Sequence, residues 1–244
     1  MGRFQGKVVL VTGSSSGIGR RTAEAFDAEG ASVVVNSARS VEAGQALAGE
    51  LRDGFYVQAD VSDAGSCEAL VDAVLDRYGR LDVLVNNAGI TKVNPHRDLD
   101  AVDDDLFRRI LEVNVVAPFR LARRCMAHLA ATDDGCIVNV SSLAGVRPTG
   151  SSIPYAVSKA ALNHLTVLLS NVVGPSVRVN AVAPGLVRTP WTAEWQALHD
   201  SMATRAPLKR SGEAGEVAEA VVSLAANRYV TGQVLVVDGG LGLR

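Results

Sequence analysis

A doubly wound α/β fold, with a parallel sheet of about seven strands and helices on both faces, is what this 244-residue chain predicts. Three observations carry that expectation. Short β-branched runs alternate with helix-period stretches along the whole length. The first run ends in a glycine-rich turn that opens directly into a helical pattern. No composition shift, internal repeat or low-complexity linker divides the sequence, so residues 1–244 read as a single domain.

The run KVVLVT at 7–12 is apolar and β-branched, as a strand covered on both faces of a parallel sheet must be. Further strand-like runs lie at 32–36, 55–59, 81–86, 136–141, 177–182 and 233–238. Helical patterns stand between them, notably at 18–29, 41–52, 63–78, 103–131 and 154–173. Such alternation sets successive strands parallel and puts the connecting helices on the two faces. Pro118 falls inside the pattern at 103–131. It has no N–H to bond the carbonyl of Asn114, and its ring pushes that carbonyl away, which kinks the helix. After Pro184 the alternation is interrupted, and 186–212 reads as loops and short helices forming a substrate lid.

Composition narrows the class. Apolar residues are 48% of the chain, charged residues 20% and aromatics 5%, the balance of a soluble globular protein. A formal charge of −2 argues against a nucleic-acid surface. No apolar stretch reaches the roughly 18 residues of a membrane span, and no signal-peptide pattern precedes the first strand. A cytoplasmic protein is expected. Cys67, Cys125 and Cys136 lack ligand spacing and read as buried thiols in a reducing compartment. His96, His128, His164 and His199 are scattered and read as structural or exposed, so no metal is expected.

Tyr155 and Lys159 are one helical turn apart, about 6 Å of rise, and project from one face. A phenol titrates at about 10 in water, and a neighbouring ammonium favours the phenolate and lowers that value. The pair can then give a proton to a substrate oxygen or take one from it. The glycine turn supplies the other half of a site. Gly13, Gly17 and Gly19 stand in the spacing T-G-x-x-x-G-x-G. They allow a tight turn and close approach of a pyrophosphate, which meets the unpaired N–H groups and positive end of the helix. A G-x-x-x-x-G-K-[ST] phosphate loop is excluded, because Arg20 and Arg21 follow Gly19. NAD-binding proteins of this architecture place an acid at the end of the second strand for the adenosine ribose. Asn36 and Ser37 stand there instead, with Arg39 beyond. A 2′-phosphate meets no repulsion, and a guanidinium can grip it. NADP(H) is therefore the expected cofactor, with NAD(H) as the alternative.

The ordered series TGSSSGIG (12–19), Asp60-Val61, NNAG (86–89), Asn114, Ser142, Tyr155-x-x-x-Lys159, Pro184-Gly185 and Thr189 resembles the short-chain dehydrogenase/reductase family, from about Lys7 to Gly240. The resemblance implies a Rossmann-type fold and hydride transfer between nicotinamide and a carbonyl carbon. It assigns catalysis to Asn114, Ser142, Tyr155 and Lys159. Ser142 would hold the carbonyl oxygen, Tyr155 would act as acid/base, and Lys159 would also bind the nicotinamide ribose. The Asn114 carbonyl would hold a relay water. The same resemblance assigns cofactor contacts to Gly13, Ser15, Ser16, Gly17, Ile18 and Gly19 at the turn, and to Ser37 and Arg39 beyond the second strand. Asp60 and Val61 follow at the adenine, then Asn87, Ala88 and Gly89 beside Asn86. Pro184, Gly185, Val187 and Thr189 complete the set.

The nearest branch is that of the 3-oxoacyl-(acyl-carrier-protein) reductases. It implies a small-molecule carbonyl or alcohol substrate, with acyl-carrier-protein or CoA thioesters among the partners, and a homotetramer or homodimer. An NAD(P)-dependent dehydrogenase of a sugar, polyol, steroid or other secondary alcohol is the alternative. A non-catalytic NADP(H)-binding regulator is a distant third. Trp191 and Trp195 are expected on one helix, either walling an apolar pocket or, the preferred reading, packing the lid onto the body. Lys209 and Arg210 either meet an acidic carrier or form a solvated face. Stretches 167–181 and 223–235 are shorter than is usual in the family, on surfaces that relatives use for oligomers.

Overall fold

The computed structural model describes residues 2–243. The chain begins with β1 (Val8–Val11), α1 (Gly17–Ala28), β2 (Ser32–Ser37), α2 (Val41–Glu50), β3 (Gly54–Gln58), α3 (Ala64–Tyr78) and β4 (Val83–Asn86). It continues through α4 (Asp104–Leu111), α5 (Ala117–Ala130), β5 (Gly135–Val140), α6 (Ile153–Val173) and β6 (Val177–Pro184). The last part holds β7 (Val187–Arg188), α7 (Gln196–Arg205), β8 (Gly212–Glu213), α8 (Ala214–Ala226) and β9 (Val234–Val237). A seven-stranded sheet runs β3-β2-β1-β4-β5-β6-β9, and every adjacent pair is parallel. This is the doubly wound arrangement that the alternation predicts.

Successive side chains leave a strand on opposite faces. Val9 and Val11 therefore enter one apolar core with Phe26 of α1 and Val217 and Val221 of α8. Val8 and Leu10 enter the other with Leu70 and Val74 of α3 and Leu121 of α5. β1 is buried on both faces, which is why it reads as an unbroken apolar run rather than an alternating one.

Three differences from the sequence reading matter for the site. The pattern at 103–131 is two helices joined by a π-helical turn at Glu112–Val116, where Ala117 N–H bonds Glu112 C=O. Pro118 enters just after that turn, in the first turn of α5, so the kink takes the form of a widened helical turn around Asn114. α8 lies outside the predicted helices; its small, mostly alanine and valine residues pack it against α1. The 186–212 excursion is also closed on itself, because β7 and β8 pair as a second, two-stranded parallel ladder.

The central strand is anchored at its entry. Asp82, just before β4, is buried; its carboxylate accepts from Val8 N–H at 2.9 Å and pairs with Arg80 at 2.6 Å and Lys7 at 3.2 Å. Removing it strands a buried donor and two cations, so Asp82→Ala is expected to lower the unfolding free energy by about 3 kcal/mol. Lys7→Ala, at the solvated end of the same cluster, costs less than about 1 kcal/mol. Urea denaturation of the two variants checks the contrast.

Candidate active site

A cleft of about 1340 Å³ follows the carboxyl edge of the sheet, from the glycine turn past β5 to the 186–212 excursion. Ser142, Tyr155, Lys159 and every residue assigned to the cofactor line it. Asn86 and Asn114 do not, and both side chains are bonded within the fold. Asn86 donates to Asn139 Oδ1 at 2.9 Å, Asn139 donates to Thr166 Oγ1 at 2.9 Å, and Thr166 closes on the Leu162 carbonyl at 2.9 Å. That buried chain ties β4 and β5 to α6. Asn114 exchanges bonds with the backbone of Ile90 at 2.9 and 3.0 Å and donates to Ser158 Oγ at 3.0 Å. Its side chain thus clamps the loop after β4 to α6.

The glycine turn is a cradle that side chains would fill. Gly13 and Gly17 have φ of 62° and 57°, in the left-handed region that favours glycine. A Cβ on Gly13 would come within 2.9 Å of Ala88 Cα, and one on Gly19 would strike the Asn87 amide. Ser16 caps α1 without a side-chain bond, and no acid occupies the first helical turn. The N–H groups of Gly17, Ile18 and Gly19 therefore have no partner within the helix, in the geometry that suits a pyrophosphate. Two asparagines hold the turn from either side. Asn87 donates to the carbonyls of Thr12 and Gly13 at 2.8 and 2.9 Å, and Asn36 accepts from Gly13 N–H at 3.3 Å. Asn36 also donates to the carbonyls of Val57 and Ala59 at 3.1 Å each. The residue standing in place of the ribose acid is thus a bolt between strands. Ser37 shares a 2.9 Å bond with the Tyr56 hydroxyl, and Arg39 is exposed at the mouth with no ion-pair partner among the described residues. Asp60 accepts both the N–H and hydroxyl of Ser62, at 2.9 and 2.7 Å, and those bonds hold its carboxyl below the usual range.

Tyr155 and Lys159 meet on α6. Ser152 caps that helix by accepting from Tyr155 N–H at 3.4 Å, with Pro154 in the first turn. The Lys159 ammonium lies 5.7 Å from the Tyr155 ring centre and donates to the Val140 carbonyl at 2.8 Å. Burial lowers Lys159 from 10.5 to about 8. The Tyr155 phenol is raised rather than lowered: burial dominates, and a bond with Ser142 pulls weakly the other way. The expected depression by Lys159 is absent, because the lysine is itself desolvated and turned toward Val140. Ser142 also caps the short turn after β5, accepting from Ala144 N–H at 3.1 Å. Ser141 instead donates to the Lys159 carbonyl at 3.2 Å.

Several features escape the sequence reading. Trp191 and Trp195 do not share a helix: the first sits in a 3-10 turn at Pro190–Thr192, the second at the N-terminus of α7. Trp191 is 47% exposed and meets the Tyr155 ring edge-on at 6.5 Å, so it walls the cleft. His96 lines the cleft, with its Nε2 buried and unbonded among the described residues. Arg210 pairs with Glu216, at 2.8 and 2.5 Å, at an exposed position. Residues 13–17 also spell G-x-S-x-G, the pattern of a hydrolase nucleophile, yet no described histidine bonds Ser15.

Comparisons with known proteins give the family. The family model described as enoyl-(acyl carrier protein) reductase matches residues 13–242. A Streptomyces violaceoruber protein named "Granaticin polyketide synthase putative ketoacyl reductase 2" is 53% identical, covering 97% of this chain and 96% of its own. The 3-oxoacyl-(acyl-carrier-protein) reductase FabG of Thermotoga maritima is 36% identical, covering 98% and 99%. A crystal structure of a short-chain dehydrogenase/reductase titled glucose/ribitol dehydrogenase, from Brucella melitensis, superposes with a TM-score of 0.92 at 33% identity, covering 99% of each chain. The chain belongs to the short-chain dehydrogenase/reductase family and is an oxidoreductase that uses a nicotinamide nucleotide.

Lys159 gives the free protein a pH dependence of known sign. Below about 8 the folded state carries a buried ammonium that the unfolded chain keeps in water; between about 8 and 10.5 the folded state sheds that proton first. Stability therefore rises with pH across this window. Lys159→Met is expected to raise the melting temperature of cofactor-free protein at neutral pH, with the gain shrinking as pH climbs through the window. Thermal unfolding of both proteins over that range checks it.

Proposed function

We propose that the protein is an NADP(H)-dependent reductase that converts a carbonyl to a secondary alcohol, with 3-oxoacyl thioesters as its substrate class. The observation that carries this reading is the meeting of Tyr155, Lys159 and Ser142 in one cleft with a glycine cradle and a β2 end free of carboxylate. The ketoacyl-reductase names of two relatives support the substrate class. When bound, the nicotinamide supplies the hydride for the carbonyl carbon. Ser142 steadies the carbonyl oxygen, and Tyr155 delivers its phenolic proton to that oxygen. Lys159 turns from the Val140 carbonyl to the nicotinamide ribose. The main-chain carbonyl of Asn114, near Pro118, holds the water that returns the proton. Arg39 takes the 2′-phosphate, Asp60 and Val61 border the adenine, and 186–212 closes over substrate.

The protein acts in the cytoplasm as a homotetramer or homodimer. Exposed Phe119 on α5, Leu168 and Val172 on α6 and Leu235 on β9 support self-association. A second reading, a dehydrogenase of a sugar or polyol, is favoured by Asn94. That side chain is buried in the cleft wall with its oxygen unbonded, as a substrate hydroxyl would require.

Acetoacetyl-CoA with NADPH or NADH, followed by nicotinamide absorbance, tests both. Turnover with NADPH is expected to fall at least about a hundredfold in Tyr155→Phe, while NADPH binding persists. Arg39→Ala is expected to cost about tenfold in kcat/KM with NADPH and little with NADH. Turnover of a polyol but of no ketoester would replace the first reading with the second.

A further inference from the structure

The proton chemistry leaves one buried imidazole unused. His199 lies on α7, 5% exposed, inside the loop that β7 and β8 close into a ring. Its Nε2 is 3.1 Å from the Thr192 carbonyl and its Nδ1 is 2.8 Å from Ser211 Oγ. A carbonyl only accepts, so Nε2 carries the proton and Nδ1 accepts from the serine hydroxyl. Both ring nitrogens are thus satisfied, and the imidazole joins three parts of the ring: the 3-10 turn, α7 and the strand entry at Ser211.

The 3-10 turn carries two cleft residues. Thr192 Oγ1 donates to the Val187 carbonyl at 2.6 Å and accepts from Thr189 N–H at 3.2 Å, so Thr189 and Thr192 move together. Thr189 Cβ stands 3.4 Å from the position a Cβ on Gly17 would take. Trp191 Cη2 stands 3.9 Å from the corresponding position on Gly89, a point that also lies 3.6 Å from Lys159 Nζ. The turn therefore reaches across the cleft from the glycine cradle to the acid/base pair. Displacing it shifts both contacts at once.

We propose that His199 is a positioning residue for the nicotinamide end of the cleft, fixing the turn that carries Thr189 and Trp191. This rests on the cofactor reading above. It requires no contact between His199 and cofactor, and His199 is not among the residues that line the cleft.

The test compares two ligands by titrating tryptophan emission: NADPH, and 2′,5′-ADP, which carries the 2′-phosphate but no nicotinamide. His199→Ala is expected to weaken NADPH about tenfold and 2′,5′-ADP less than about twofold. His199→Gln, which can still donate to Thr192, recovers part of the loss. His199→Phe, which keeps the ring volume without either bond, behaves as His199→Ala. Parallel weakening of both ligands, or wild-type NADPH affinity in His199→Phe, would overturn the proposal. If His199→Ala does not fold, Ser211→Ala removes only the Nδ1 partner; it should show the same split at smaller size, and no split overturns the idea. Failure of the cofactor reading looks different: wild-type protein then binds neither nucleotide, and both fall.

Discussion

The backbone turn after β1 governs the carboxyl edge of the sheet. It must reverse direction between a central strand and the helix that packs over it, and it must leave N–H groups facing outward with no side chain over them. Left-handed Gly13 and Gly17 satisfy the first demand. The second needs something to bond the turn's other polar groups, and two asparagines from neighbouring strands do so. Asn87 takes the Thr12 and Gly13 carbonyls, and Asn36 takes the Gly13 N–H. Ser14 joins them, donating to Val11 C=O at 2.7 Å and accepting from Asn36 N–H at 2.9 Å. With those groups occupied, the free donors of α1 are the ones that face the cleft.

The same logic places the acid/base helix. α6 starts at the open edge of the sheet and runs back across its face, so its first turn must be held where solvent competes. Three polar ties do this from within: Ser152 at the cap, Asn114 to Ser158, and the Asn86–Asn139–Thr166 chain deeper in. Such buried bonds each add little net stability, but breaking one leaves an unpaired group at a cost of about 1–3 kcal/mol. They specify the angle of the helix more than they stabilise it. One consequence is the desolvated Lys159, held against Val140 with its pKa lowered to about 8.

Much of this was legible in the residues. The parallel sheet, the helix alternation and the line of cleft residues follow from periodicity, glycine spacing and the resemblance. What escaped is what depends on contacts between distant segments. Asn36 could be seen to replace an acid, but not to bolt the turn to β3. The phenol's proximity to a lysine suggested a lowered pKa, yet burial, which spacing alone does not report, sets the opposite direction. Trp191 and Trp195 stand four apart, which suggested one helix, but Pro190 opens a separate 3-10 turn and sends Trp191 into the cleft. His199 sat among scattered histidines until the β7–β8 pairing brought Thr192 and Ser211 to its two nitrogens.

The two ends of the cleft are therefore built differently. The glycine-turn end rests on β1, β2 and β4, whose residues are largely buried in the two cores, and its polar ties run between segments of one sheet. The end beside Tyr155 and Lys159 borrows Thr189 and Trp191 from a surface ring whose ladder, among the described residues, is four residues, two from each strand. On the cofactor reading proposed above, the ring would part for a carbonyl substrate while the cradle holds the pyrophosphate, provided that something inside the ring returns it to one closed geometry. Hydrogen bonds buried within the ring, at Thr192, His199 and Ser211, are suited to that task, because closure satisfies all of them together and partial closure leaves buried groups unpaired.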